Sequence, residues 1–285
     1  MKTCLVINGS GLHGAFVCGV LKHWVDNGIT FPHIVATGFG SLAGAYFYAQ
    51  QGDALEKLYG NFIDEYGKSL RIKGMLKGCD STVNGLKLLD KAEPVDMDGF
   101  KAAEGRFSVA TTCADNGDAK FWNLDQVTEW KHLKEFLRAG MTFPGSDQPV
   151  QLVERSYFDG RIAQPLPIKE ALAQGSERVV VVQSHIAHKS MNHPVLTPAQ
   201  AVAMRKYPKL HNRYLLSNLY YNDEMELLLD LENQRRAVVV APQVNNMYYH
   251  RYNASPSTAA HFYKEGLLMA EARLDKVLAI LGEQM

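Results

Sequence analysis

Apolar residues run from Leu5 to Ile7, stop at Asn8-Gly9-Ser10-Gly11, and resume from Gly14 at helical spacing, with Phe16, Val17, Val20, Leu21 and Trp24 on one face. That change of period predicts strand, glycine loop and helix over residues 3 to 26. A second short strand follows at Ile34 to Ala36, then a helix of small and aromatic residues at Ala43 to Gln50. The β-α-β-α alternation calls for a parallel sheet with right-handed crossovers.

Farther along, Phe107 to Thr112 and Lys120 to Asn123 read as a hairpin across ADNGD, because Asn-Gly favours the tight turns that join antiparallel strands. Helices are predicted over 53–64, 81–92 and Trp130 to Ala139, with a break from Gly140 to Gly145. The Lys- and Gly-rich stretch at 67–78 reads as a solvated connector. A strand ending at Phe158 leads into a turn at Asp159-Gly160. A helix from Ile168 to Gln174 is stopped by Gly175, and the four valines at 179–182 suit a strand covered on both faces. Residues 198–233 read as helical and Val238 to Ala241 as a last strand. An amphipathic helix closes the chain at Ser257 to Leu281, with Phe262, Leu267, Leu268, Ala270, Leu274 and Leu278 among its apolar positions. With no repeat or linker, the expected organisation is one domain over 1–285, its part from 198 to 285 largely helical and packed on the rest.

Lys plus Arg and Asp plus Glu each number 30, so the formal charge is zero and gives no electrostatic argument for nucleic acid as a partner. No apolar run approaches the roughly 18 residues needed to span a bilayer. The N-terminal apolar stretch ends at Ile7, too short for the core of a signal peptide. Cys4, Cys18, Cys79 and Cys113 show no paired spacing, and the histidines form no cluster at metal-ligand distance. The expectation is a cytoplasmic protein with buried thiols, no metal and no cofactor. The tail helix is equally consistent with core packing and with a peripheral membrane or partner contact. Oligomeric state is not legible.

A strand, a glycine loop and a helix N-terminus make a ready site for an anion, either a phosphate or the oxyanion of acyl transfer. Gly9-Ser10-Gly11-Leu12-His13-Gly14 fits the dinucleotide-binding pattern, but His33 to Gly40 supplies no acid to hold a ribose. A P-loop is excluded for want of a GK[ST] ending. The other reading joins the loop to the turn Gly38-Phe39-Gly40-Ser41-Leu42-Ala43-Gly44. A serine on a sharp strand-to-helix turn has an exposed, firmly aimed hydroxyl, and the tight turn demands small residues on either side, hence GxSxG. Such a serine needs a base and oxyanion donors. The candidates are Ser41 as nucleophile, Asp159 as base, and the N–H groups of Gly9, Ser10 and Gly11 as the oxyanion hole.

These landmarks resemble those of the patatin-like phospholipases. The family's opening GGGxRGxxxxGVL resembles Gly9 to Gly14 followed by Gly19-Val20-Leu21. Its RASxAxPG segment resembles Arg138 to Gly145, and its YxDGG segment resembles Tyr157-Phe158-Asp159-Gly160-Arg161, with Pro167, Glu170-Ala171, Gly175 and the valine strand in step. The resemblance implies a three-layer α/β/α fold with a mostly parallel central sheet, and hydrolysis of phospholipid or other acyl-lipid esters by a Ser-Asp dyad. This chain departs from the pattern at the elbow, at Ser10 for glycine, at His13 for a basic residue, and at Arg161 for a small one. Two further readings stand beside lipid acyl hydrolase of phospholipase A or lysophospholipase type: a catalytically inactive patatin-like protein that binds an acyl lipid or anion, and a Rossmann-type nucleotide-binding protein.

Overall fold

The computed structural model describes residues 2–9, 13–60, 89–243 and 256–282. At its centre β1 (Thr3–Gly9) is flanked by β2 (His33–Gly38) and β7 (Arg178–Gln183), all three parallel. The sheet extends outward on one side through β3 (Arg106–Cys113) and on the other through β8 (Ala237–Val240), again in parallel. Antiparallel strands β4 (Ala119–Asn123), β5 (Val150–Leu152) and β6 (Arg155–Asp159) complete it beyond β3. The expected mostly parallel α/β fold is therefore present, and the predicted hairpin is β3–β4. The three-residue β5 was not foreseen; it is too short to show a period.

Alternation along the strands divides the core into two layers. Leu5 and Ile7 of β1, with Val180 and Val182 of β7, face the helices α1 (Gly14–Asp26) and α2 (Phe39–Tyr48). Cys4 and Val6, with Val179 and Val181, face α5 (Ile168–Ala173) and α8 (Ser217–Asn233), whose Tyr221, Met225 and Leu228 are buried there. Between these elements lie the short α3 (Met97–Ala102) and the amphipathic α4 (Trp130–Met141).

Three expectations are corrected. Helix α2 begins at Phe39, four residues before the predicted Ala43, because β2 passes directly into it through Gly38. Residues 198–233 form three helices, α6 (Pro198–Met204), α7 (Pro208–Leu215) and α8, since Tyr207, held at φ −132° and ψ 70° ahead of Pro208, leaves the helical region. The tail is likewise two helices, α9 (Pro256–Ala272) and α10 (Leu274–Gly282), and Leu268, expected on the apolar face, is 70% exposed. The helix predicted at 53–64 is present through residue 60; residues 61–64, the connector at 67–78, Cys79 and residues 81–88 lie outside the described residues.

Helical spacing gives α1 one apolar face, yet the helix is buried nearly all round because α9 packs along its other side. The two helices approach at paired glycines. A Cβ on Gly19 would stand 2.2 Å from the Tyr263 carbonyl oxygen, and one on Gly266 2.2 Å from that of Phe16. Alanine ordinarily stabilises a helix interior relative to glycine by roughly 0.5–1 kcal/mol. Here we expect Gly19→Ala or Gly266→Ala to lose about 1–3 kcal/mol in urea unfolding, because backbone, not a flexible side chain, blocks the added methyl; a gain would disprove this close crossing.

Candidate functional site

The site lies at the C-terminal rim of the parallel sheet, where β1 and β2 end in register at Gly9 and Gly38. Gly9 is backed against the first turn of α2: an added Cβ would sit 2.7 Å from the Gly40 nitrogen, and one on Gly40 2.8 Å from the Ile7 carbonyl oxygen. Ser10 and Gly11, the other two expected oxyanion-hole residues, lie outside the described residues.

Gly38 connects β2 to α2 at φ 57° and ψ −137°, a conformation that side chains of L-residues rarely adopt. A sharp strand-to-helix turn with a strained residue at its apex is the geometry of a nucleophile elbow. The apex residue is Gly38, which carries no side chain. In this register Ala36 and Gly40 take the two small-residue positions of GxSxG. The sequence already held the signal, since Ala36-Thr37-Gly38-Phe39-Gly40 has small residues two places either side of Gly38, but a search for serine passes over it.

Ser41 is the third residue of α2 and fully buried. Its Oγ lies 3.3 Å from the place a Cβ on Gly140 of α4 would take, and it has no hydrogen-bond partner. The expected hydrogen bond to Asp159 is therefore not formed. Ser41 lies past the elbow, on a helix face packed against α4, where its hydroxyl is neither exposed nor aimed at the rim.

Asp159 ends β6 and is also fully buried. Its Oδ1 accepts from the Arg161 backbone N–H at 2.8 Å and from Nε at 3.1 Å; its Oδ2 accepts from Nε at 3.1 Å and from Nη2 at 2.7 Å. The guanidinium thus grips the carboxylate as a fork. Arg161 also covers the elbow: a Cβ at Gly38 would stand 2.4 Å from Arg161 Nε and 2.7 Å from Cδ. The arginine fills the space a nucleophile's side chain would need and occupies the lone pairs a general base would use. Its side chain remains 23% exposed, so the pair faces the rim.

His13 precedes α1, its ring edge-on to Phe262 at 4.7 Å and to His185 at 5.7 Å. Burial, with His185 adding to it, pushes its pKa down to about 3. At neutral pH it supplies no cation in the place where the family carries one.

Beyond Arg161 the chain is anchored by Glu224 of α8, a residue that looks in sequence like part of a charged helix surface but is buried. It accepts hydrogen bonds from Gln164 Nε2 and from the Lys169 backbone N–H. Burial raises its pKa to about 7, against the bonds it accepts. No group of three or more His, Cys, Asp or Glu residues able to hold a metal occurs among the described residues.

The family described as Patatin-like phospholipase matches residues 5–172, more than half of the chain and all of the elements just described up to α5. This chain belongs to the patatin-like phospholipase family. No curated protein matches it. Among solved structures it is similar to VipD from Legionella pneumophila, at 13% identity and a TM-score of 0.45, over 96% of this chain and 67% of that one.

Two outcomes are expected of this patatin-like site. Arg161→Ala leaves a buried carboxylate without its counter-ion and should cost about 3 kcal/mol in urea unfolding; a loss under about 1 kcal/mol would show Asp159 to be solvated without it. Glu224 binds its proton more tightly folded than unfolded, so stability is greatest below its ordinary value of 4.5 and falls as pH rises towards about 7. Glu224→Gln should flatten that slope in thermal melts across the same window, and an unchanged slope would place the titration elsewhere.

Proposed function

We propose that this chain is a patatin-like protein without serine-hydrolase chemistry, which keeps the glycine-loop rim as a binding site for an acyl lipid or another anion. Gly38 carries the reading: the elbow has the backbone of a nucleophile turn and no nucleophile on it. The Arg161 fork supports it from the other side, because a base must have a free lone pair turned to the proton it removes. Family membership supports lipid as the ligand class. The partly exposed guanidinium adds a permanent positive charge to that rim, which favours an anionic group there. The buried thiols Cys4, Cys18 and Cys113 fit the expected reducing cytoplasm.

The second reading, favoured by the family, is acyl hydrolysis by Ser41 and Asp159, with Gly9, Ser10 and Gly11 holding the oxyanion. It requires α2 to open far enough for Ser41 to reach the rim.

Turnover of a p-nitrophenyl acyl ester separates the two. Wild type, Ser41→Ala and Asp159→Ala should all stay at the uncatalysed background. The double change Gly38→Ser with Arg161→Gly should raise turnover above wild type, and adding Asp159→Ala should abolish the gain. Wild-type turnover that Ser41→Ala or Asp159→Ala removes would overturn the binding reading and support the dyad. A serine at 38 must adopt the strained apex, so the double variant should lose roughly 1–3 kcal/mol beyond what removal of Arg161 alone costs.

A further inference from the structure

The chain's overall charge balance conceals a segment of one sign. From Arg178 to Asn222 there is no Asp or Glu, against six Lys or Arg residues. Its part from residue 198 onward carries α6, α7 and the start of α8. Met204 and Leu210 from the first two helices are buried in one satellite cluster with Phe158 and Ile162, beside the Asp159 end of β6. Their remaining faces are turned to solvent.

On those faces, and on the residues that lead into α6 and out of α7, cations and aliphatic residues are interleaved. Lys189, Arg205, Lys206 and Lys209 are exposed and form no ion pair among the described residues. Val195 is 75% exposed, Val202 61%, Leu216 44% and Leu219 54%. Along α7 and α8 the exposed positions Lys209, Asn212, Leu216 and Leu219 recur three or four residues apart, which places them on one stripe. The stripe then changes character. Its next exposed members are Asp223, Glu226 and Asp230. The basic and apolar half is the one next to the site, where Arg213 donates from Nη2 to the Ala163 carbonyl at 2.9 Å and Tyr214 stacks edge-on to Phe143 at 5.5 Å.

We propose that this surface, from Val195 to Leu219, docks the protein on an anionic lipid bilayer. Exposed aliphatic side chains set among lysines and arginines suit the interface of a membrane, where the chains enter the acyl boundary and the cations meet head groups. The acidic half of the stripe would be repelled by the same surface, so the charge gradient along α7 and α8 sets the orientation and turns the Asp159 end of the sheet towards lipid. An acidic protein would explain the cations but not four separate exposed aliphatic residues without an aromatic anchor among them.

Sedimentation of the full chain with vesicles tests this directly. It should bind an equimolar phosphatidylcholine–phosphatidylserine mixture, bind phosphatidylcholine alone weakly, and come off the mixture as salt is raised. K206E/K209E should weaken binding at least about tenfold, since each basic residue near such a surface contributes about 1 kcal/mol. L216S/L219S should weaken it comparably, with the thermal midpoint of both variants near wild type. Wild type that ignores both vesicles, variants that bind as wild type does, or retention on polyglutamate but not on the mixture would each overturn the proposal. Vesicle binding is read without turnover and without touching residues 38, 159 or 161, so its failure is distinct from a failure of the proposed function.

Discussion

Strand β3 shares one edge between two partners, and the site depends on that sharing. Ser108 and Val109 pair with β2 on one side and β4 on the other, while Thr111 and Thr112 pair with β4 on that same other side and with β6 opposite. Strands β2 and β6 therefore lie end to end along a single edge of β3, β2 stopping where β6 arrives. This brings Gly38 and Asp159 together from positions far apart in sequence. Gly160 follows the carboxylate with its Cα so close to Ala110 that a Cβ would stand 2.4 Å from the Ala110 carbonyl oxygen. Any replacement chemistry at this rim has to be built by residues that fit the same narrow junction.

Within that constraint, the carboxylate that ends β6 is held in an ion pair with Arg161. Both members of an acid–base dyad must be able to share a proton, whereas a guanidinium bonded in a fork occupies the carboxylate's lone pairs and fixes both side chains. The neighbouring His13 is kept neutral by its surroundings. Among the described residues, the rim presents the partly exposed, permanently charged guanidinium of Arg161 beside Gly9, Gly38 and Gly40. That composition underlies the proposed binding role, in which the basic, aliphatic surface beside it would bring lipid to the same end of the molecule.

Much of the fold was legible because it rests on local period. The strands at 3–7 and 179–182 and the β3–β4 hairpin announce themselves by apolar runs and by an Asn-Gly turn. Landmarks such as Pro167 and Gly175 set the order of the elements after Asp159. The site was legible only in part. Asp159 and Gly9 stand out in the sequence because each sits beside turn residues. The sharp turn at Gly38 was not legible, because its mark is a backbone conformation that no side chain signals, and Ser41, three places on, carries the hydroxyl that draws attention. The all-round burial of α1 and the burial of Glu224 were out of reach for another reason. Both depend on α8 and α9, which return to the sheet from distant parts of the chain, and helical period cannot reveal what a second helix covers.

The interlock of Gly38 with Arg161 also constrains descent. A hydroxymethyl group gained at 38 alone would run into the arginine already lodged there, and a small residue gained at 161 alone would abandon a buried anion. Each change is harmful until the other has been made, so epistasis binds the two positions to each other. The present pairing of the two residues works as a latch.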